Sequence, residues 1–358
     1  MSRIYRKTYA EVNLTNIYKN YSYIQNAARN IKVIPVVKAN AYGHGCIEVV
    51  DLLASIGVDQ FAVSLLEEGL KLRSKFPDIE ILIMGIVDDE GLIIASENDM
   101  TITISNFDQI EKLSNLSQIL KIHLKIDTGM NRLGFKSDKE IKMAFKLLKS
   151  NKFVELDGIY THFSTADVDK LYYDIQLNRF KYILDMLKYT FRMVHMSNSS
   201  SLIKYENDID FTTHARLGIS LYGLTLDSNV NFLKTTFKLK TSISQIRHLE
   251  PGDKVGYGAT YVASQSEVIG ILPIGYADGF IRRNKGGDVE INGRRYPIIG
   301  NICMDQMFIK IDESIRKTDE VTLFGGLITI DEVAKRLDTI NYEIICQITS
   351  RVPRKYIK

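Results

Sequence analysis

The sequence of 358 residues has few of the features that mark secreted, fibrous or membrane-spanning proteins. Its three cysteines, Cys46, Cys303 and Cys346, are far apart and lack CxxC spacing, so we expect reduced thiols rather than a disulfide framework or a zinc site. Only 23 glycines and 6 prolines are present, which excludes collagen-like and low-complexity chains. No apolar run approaches the ~20 residues of a membrane span, and no apolar core of a signal peptide follows the N-terminus. These absences predict a cytoplasmic globular protein.

The charges are nearly balanced and spread along the chain. Lys and Arg number 46 against 43 Asp and Glu, and no basic tract occurs that would indicate a nucleic-acid or membrane-surface partner. The six histidines are scattered, without an HxxxH pair or a carboxylate cluster, so we expect no metal site. Apolar residues make up 45% of the chain, and the length suggests about two domains.

Residues 1–235 alternate between short apolar runs and stretches of helical periodicity. The runs show little polar alternation, which is typical of strands buried on both faces. Eight such units predict an α/β fold, a (β/α)8 TIM-type barrel, with a doubly wound open sheet as the alternative. The predicted strands are Val33–Val37, Phe61–Ser64, Glu80–Met84, Thr101–Ile104, Ile122–Ile126, Gly158–His162, Met193–Met196 and Thr213–Leu221.

Residues 236–358 predict a separate, β-rich C-terminal domain. Alternate residues from Phe237 to Ile243 are apolar or β-branched, and Asn292-Gly293 is a hairpin signal between two strand candidates. Only Asp331–Leu337 has a clear helical pattern. Further predicted strands are Glu267–Leu272, Asp288–Ile291, Arg294–Ile299 and Asp305–Ile311.

Polar residues follow several barrel strands, at the end where βα barrels carry their active sites. Lys38 directly follows the first strand; it is either a surface lysine or one able to form a Schiff base. Arg132 and His162 each have an ordinary structural explanation when taken alone. The small residues at 197–201 and at Gly218-Ile219 allow backbone N–H groups to approach a phosphate. Together, a lysine, a phosphate site, an arginine and a histidine suggest pyridoxal 5′-phosphate.

These motifs resemble those of the alanine racemases over residues 33–354. The resemblance implies a (β/α)8 barrel followed by a β domain, in agreement with the strand pattern. The matching segments are Val37–Gly45, Asp127–Gly134, Thr161–Asp167, Arg216–Gly223, Gly256–Tyr261, Pro273–Gly279, Gly300–Gln306, Ile340–Glu343 and Arg351–Arg354.

The resemblance also implies a role for individual residues. Lys38 corresponds to the cofactor-attachment lysine and to the base that serves D-alanine, and Tyr257 to the base that serves L-alanine. His162 corresponds to the residue against the pyridine ring and Arg216 to the partner of the pyridine nitrogen. Because a free tyrosine has a pKa near 10, we expect His162 and Arg216 to supply a cationic neighbourhood for Tyr257. The residues that correspond to phosphate ligands are Tyr42, Asn198, Ser199, Gly218 and Ile219.

Substrate contacts and assembly are implied in the same way. Arg132 and the backbone of Met304 correspond to contacts with the substrate carboxylate, and Lys125 to a lysine that is carbamylated in many relatives. Tyr276 and Asp305 correspond to residues that narrow the entrance. The resemblance further implies a head-to-tail homodimer in which each subunit completes the other's site.

Two departures and three alternatives qualify this interpretation. Ser350 stands where many relatives have a tyrosine near the phosphate, and Gly256 where serine is frequent. The scaffold also suits a broader serine or lysine racemase. A non-catalytic pyridoxal-phosphate carrier is disfavoured by the motifs of the second domain. A decarboxylase is disfavoured because its glycine-rich phosphate loop and C-terminal cysteine motif are not evident.

Overall fold

The computed structural model describes residues 5–227 and 229–358, which form two compact units. The barrel unit comprises residues 18–41 and the described part of 45–233. The β unit comprises residues 5–17, 42–44 and 234–358. The predicted boundary at residue 235 is next to Lys234, where the β unit resumes, but the β unit also takes in residues near the N-terminus.

Eight parallel strands form the sheet of the barrel unit within the described residues. From the second strand onward, each pairs with the next in chain order, and the eighth pairs with the first. The ring closes where Val36 bridges Ala62 and the backbone N–H of Val37 donates to the carbonyl of Ala62 at 2.9 Å. The prediction of a barrel, rather than an open sheet, is confirmed. The strands are Lys32–Pro35, Gln60–Val63, Glu80–Ile83, Thr101–Ile104, Leu120–Lys125, Val154–Tyr160, Met193–His195 and His214–Leu217.

Helices connect most of these strands, and local sequence signals fix several of their ends. Ser137 begins one helix through a capping box with Glu140, and the buried face of that helix carries Ile141, Ala144 and Leu148. The α-helices up to residue 204 are Leu14–Ala27, Cys46–Ala54, Leu66–Arg73, Asp89–Glu97, Phe107–Lys112, Asp138–Ser150, Lys170–Leu187 and Ser199–Lys204. Short 3-10 helices are Leu113–Asn115, Glu206–Ile209 and Ile219–Tyr222.

The segment after Lys38 is a left-handed turn. Ala39, Asn40, Ala41 and Tyr42 have φ angles of 51°, 54°, 55° and 51°, a conformation that costs non-glycine residues about 1–2 kcal/mol each. Hydrogen bonds hold the turn: the backbone N–H of Ala39 donates to Glu68 at 2.6 Å, and the Asn40 side chain accepts from the backbone of Cys46 at 3.0 Å. The backbone that carries Lys38 is therefore constrained on its C-terminal side.

A nine-stranded, mainly antiparallel sheet forms the β unit within the described residues. Tyr9–Asn13 pairs antiparallel with Phe237–Ser242 and parallel with Arg354–Ile357, so both ends of the chain contribute to it. The other strands are Gln245–Leu249, Glu267–Leu272, Asp288–Ile291, Arg294–Ile299, Met307–Ile311 and Glu320–Phe324. A two-stranded sheet pairs Lys254–Val255 with Tyr261–Val262. Helices are Ile330–Leu337 and Asn341–Cys346, and 3-10 helices are Tyr257–Ala259, Tyr276–Asp278 and Arg282–Asn284.

The strand and hairpin predictions for the second domain agree with this β-rich unit. Across residues 5–227 and 229–358, none of the helices combines the length and the apolar character needed to span a bilayer.

Candidate active site

Arg216, on the eighth barrel strand, is a buried cation surrounded by acceptors. Its Nη2 donates to the carbonyls of Thr161 at 2.9 Å and Met196 at 3.2 Å, and to Nδ1 of His162 at 3.0 Å. Its Nη1 donates to Nδ1 of His195. Burial lowers the pKa of Arg216 to about 10, which leaves the guanidinium charged near neutrality.

His162 is neutral in this environment. Burial, and then the positive charges of Arg216, Lys125, Arg132 and Lys38, lower its pKa well below the ordinary histidine value. Because a guanidinium can only donate, Nδ1 of His162 accepts and its proton is on Nε2. Arg216 is therefore the cation of this pair, and His162 is hydrogen-bonded to it. Because the pKa of His162 responds to the other four predicted basic residues of the barrel unit, all five lie in one neighbourhood.

Lys125 lies at the end of the fifth strand and is 6% exposed. Its Nζ donates to the carbonyl of Ile126 at 3.2 Å and lies 4.7 Å from the ring centroid of Tyr160. Burial, Arg216 and Arg132 together lower the pKa of Lys125 well below its usual range. Burial and the neighbouring cations therefore favour the uncharged amine, the form in which an amine is a nucleophile.

The loop that carries Arg132 folds back tightly on the fifth strand. The backbone N–H of Phe135 donates to the carbonyl of Lys125 at 3.1 Å, and Phe135 accepts from the backbone of Asp127 at 3.0 Å. Gly134 has φ of 116°, and a Cβ there would lie 2.8 Å from the backbone nitrogen of Asp127. The loop borders a cavity of about 350 Å³, which is lined by Ser105, Asn106, Asp127, Asn131, Arg132, Leu133 and Gly134.

Two short helices begin beside each other after the seventh and eighth strands. The Asn198 side chain caps the helix Ser199–Lys204. The hydroxyl of Ser199 accepts from the backbone N–H of Gly218 at 3.0 Å, directly before the 3-10 helix Ile219–Tyr222. Hydroxyl and backbone N–H donors at helix starts suit a phosphate. Together with Lys38 and the buried Arg216 of the same unit, these donors fit a phosphorylated pyridine cofactor.

The predicted residues of the second domain meet at one cavity within the β unit. Its volume is about 770 Å³, and Tyr257, Tyr276 and Met304 there are 72%, 41% and 52% exposed. Large exposed side chains gathered in one place often mark an interaction surface. The lining residues are Gly256, Tyr257, Tyr276, Cys303, Met304, Asp305, Gln306 and Phe308.

Backbone contacts fix this cavity's shape. The Asn301 side chain donates to the carbonyl of Tyr257 at 2.7 Å, and the backbone N–H of Tyr276 donates to Cys303 at 3.1 Å. The buried Asp278, which ends the turn that bears Tyr276, accepts two hydrogen bonds of 2.8 Å from Arg6. Hydrogen bonds therefore hold the backbone around Tyr276, one of the two residues predicted to narrow the entrance.

Tyr42, the remaining predicted phosphate ligand, belongs to the β unit. It is 8% exposed, its ring centroid lies 6.3 Å from that of Tyr342, and burial raises the pKa of its phenol. Ser350 is exposed in the same unit.

Comparison with known proteins gives the family. The description "Alanine racemase, N-terminal domain" matches residues 12–226, and "Alanine racemase, C-terminal domain" matches residues 236–356. The chain belongs to the alanine racemase family.

Three relatives illustrate the range of similarity. The alanine racemase of Geobacillus kaustophilus (strain HTA426) is 40% identical, with 100% of this chain and 96% of the relative covered. The crystal structure of the Bacillus anthracis alanine racemase with bound L-Ala-P has a TM-score of 0.94 at 34% identity, covering 100% of this chain and 96% of the other. A histidine racemase from Leuconostoc mesenteroides subsp. sake has a TM-score of 0.92 at 26% identity, with 99% of both chains covered.

Sequence reasoning missed His195, which accepts from Arg216 inside the barrel. The available signal was a histidine within a buried strand, just before the Ser/Asn run. That signal does not reveal which residue on a neighbouring strand the ring faces.

Proposed function

We propose that this chain interconverts L-alanine and D-alanine with pyridoxal 5′-phosphate bound in the barrel unit, as a cytoplasmic homodimer that supplies D-alanine for peptidoglycan. The observation that carries the proposal is the buried guanidinium of Arg216, whose Nη2 donates to Nδ1 of His162 at 3.0 Å. A permanently charged donor at this position can hydrogen-bond a pyridine nitrogen without giving up a proton.

The residues that would hold the cofactor form two groups, those at its ring and those at its phosphate. Lys38 would hold it covalently, Arg216 would face its ring nitrogen, and His162 would lie against the ring. The phosphate would be bound by Tyr42, Asn198, Ser199, Gly218 and Ile219. When bound, pyridoxal phosphate withdraws electrons from an amino acid and so acidifies its α-hydrogen.

Racemisation requires a proton to leave one face of the substrate and another to arrive on the opposite face. Lys38 is the proposed base for D-alanine, and Tyr257 is the proposed base for L-alanine. A phenol needs a favourable setting to act as a base near neutrality. The Nε2–H of His162 can donate to such a phenolate, and Arg216 supplies the positive charge behind it.

The proposed dimer explains the exposure of the β-unit cavity. Tyr257 is 72% exposed within one chain, which suits a side chain whose target belongs to a second copy. In the proposed head-to-tail arrangement, Tyr257, Met304, Tyr276 and Asp305 would complete the partner's site.

Substrate orientation falls to Arg132 and the backbone of Met304, which would bind the carboxylate. A carbamate on Lys125 would be anionic and would orient Arg132. The unmodified lysine, when protonated, would instead repel Arg132.

A second candidate is a racemase that accepts other amino acids. The TM-score of 0.92 with a histidine racemase favours keeping it, because the same fold accommodates a different activity. The non-catalytic carrier is not favoured, since the match extends through the second domain.

The test is incubation of the purified holoenzyme with L-alanine in deuterated water, followed by chiral analysis and an absorbance scan. We expect deuterated D-alanine and a band at about 420 nm from the covalently held cofactor. Lys38→Ala should lose both, because one side chain provides attachment and a base.

Parallel incubations with serine, lysine and histidine decide the specificity. Faster turnover of any of them than of alanine would favour the second candidate. An absorbance band without racemisation of any amino acid would contradict both candidates.

A further inference from the structure

A chain of buried polar side chains leads from Arg216 into the barrel, away from the mouth. Nδ1 of His195 accepts from Arg216, and Nε2 of His195 lies 2.9 Å from Nδ1 of His123. Nε2 of His123 lies 3.1 Å from Asp157, which Arg192 grips through hydrogen bonds of 2.6 and 2.9 Å. Both histidines are 0% exposed and Asp157 is 4% exposed.

The far end of this chain lies at the opposite face of the barrel. Arg192 directly precedes the seventh strand, and it also donates to Glu80, the first residue of the third strand, at 2.8 Å. The N-terminal ends of parallel strands gather at the face opposite the catalytic mouth. The chain of side chains therefore connects the two faces through the interior.

The hydrogen-bonding groups at the two ends of this chain of side chains determine which ring nitrogen of each histidine carries the proton. Arg216 can only donate, so Nδ1 of His195 must accept and its proton must be on Nε2. That proton points at His123, whose Nδ1 must then accept and whose own proton is on Nε2. Asp157, an anion held by Arg192, accepts that last proton.

The opposite end gives the same answer independently. A carboxylate requires a donor, which places the proton of His123 on Nε2 and leaves Nδ1 as an acceptor for His195. A charged His123 would present a donor to Nε2 of His195 and push the proton of His195 toward Arg216, donor against donor. Burial lowers the pKa of both histidines and thus also favours the neutral rings.

The packing of Tyr160 restricts rotation of the His195 ring. The ring of Tyr160 stacks on His195 with centroids 4.6 Å apart and planes 5° apart, and contacts His123 edge-on at 6.3 Å. Rotation of His195 away from Arg216 would therefore require Tyr160 to move.

We infer that His123 and Asp157 are positioning residues for Arg216: they commit His195 to one neutral tautomer, which holds the guanidinium in a fixed orientation toward the mouth. The arrangement of protons follows from the hydrogen bonds alone. Its effect on catalysis rests on the proposed function.

The first test is neutron diffraction from deuterium-exchanged crystals of the holoenzyme. We expect a deuteron on Nε2 and none on Nδ1 in both His123 and His195. A deuteron on Nδ1 of either ring would overturn the inference, whether or not the protein racemises alanine.

The second test compares Asp157→Asn with Asp157→Leu. The amide oxygen of asparagine can still accept from His123, whereas leucine leaves that buried N–H without an acceptor. His123 and His195 can then change tautomer, and the N–H without an acceptor can end up facing Arg216. We expect Asp157→Leu to lower kcat about tenfold with KM for alanine nearly constant, and Asp157→Asn to stay within about twofold of the parent.

Crystal structures of the two variants show whether Arg216 has moved. Parent-like kcat in Asp157→Leu with an unmoved Arg216, or equal losses in both variants, would overturn the positioning role. If Asp157→Leu does not fold, the neutron result still decides the arrangement of protons, and His123→Phe takes its place in the kinetic comparison.

Discussion

Replacement of Arg216 by lysine keeps a positive charge in the barrel but removes the guanidinium fork. The two terminal nitrogens of Arg216 serve four acceptors: Nη2 reaches Thr161, Met196 and His162, and Nη1 reaches His195. A single ammonium nitrogen can occupy only one of these two positions. If it occupies the Nη2 position, His195 loses its donor.

The cost follows from that lost hydrogen bond. A buried acceptor without a donor costs about 1–3 kcal/mol, and about 1 kcal/mol shifts the melting temperature of a domain this large by about 2–4 °C. We therefore expect Arg216→Lys to lower Tm by about 2–12 °C. Loss of a donor aimed at the reacting system should lower kcat/KM about 100-fold.

Thermal unfolding of the holoenzyme followed by circular dichroism measures the first effect, and chiral analysis of alanine measures the second. Arg295→Lys is a matched control, because Arg295 is partly exposed and pairs with Glu332 through hydrogen bonds of 2.7 and 2.8 Å at the surface of the β unit. Surface pairs contribute about 0–1 kcal/mol. If Arg216→Lys melts within the range of this control, the hydrogen bonds of Arg216 do not carry the stability assigned to them.

Two further predictions concern a base and a buried histidine. Tyr257→Phe should slow racemisation about 100- to 10,000-fold; in deuterated water it should yield deuterated D-alanine from D-alanine faster than any L-alanine, with slower exchange from L-alanine, because the Lys38 face remains active. Equal exchange from both enantiomers would show that Tyr257 is not the base for L-alanine. Burial lowers the pKa of His214 to about 4, so the unfolded chain binds a proton first as the pH falls, and His214 should remove up to about 3 kcal/mol of unfolding free energy between pH 6.5 and pH 4. Denaturant titrations should show a smaller loss over this range in His214→Gln, and an unchanged pH slope would refute the assignment.

Local signals explain which parts of the fold the sequence predicts. The strands Asp288–Ile291 and Arg294–Ile299 were predicted with their observed bounds because the Asn292-Gly293 turn joins them directly. Tyr9–Asn13 was not predicted as a strand, since its partners lie more than 200 residues away in the chain. Its pairing depends on tertiary structure that no local pattern contains.

In the candidate site, too, local sequence predicts some features, and others depend on tertiary structure. The motif around Lys38 and the residues Arg132 and Arg216 could be found from their order in the chain. The charge state of His162 could not, because it depends on burial and on cations from several strands. For the same reason, nothing in the spacing of His123 and His195 indicates that their rings meet.

The left-handed turn after Lys38 reverses an ordinary rule of protein engineering. Glycine usually weakens a helical segment relative to alanine, but Ala39 and Ala41 have φ angles that glycine adopts without strain. Glycine at the exposed Ala39 should therefore make the folded chain more stable, whereas at the fully buried Ala41 the lost packing opposes the gain. The same strain means that a synthetic peptide with this sequence would relax to another shape in water. Antibodies or binders selected against such a peptide would fail to recognise the segment in the native protein.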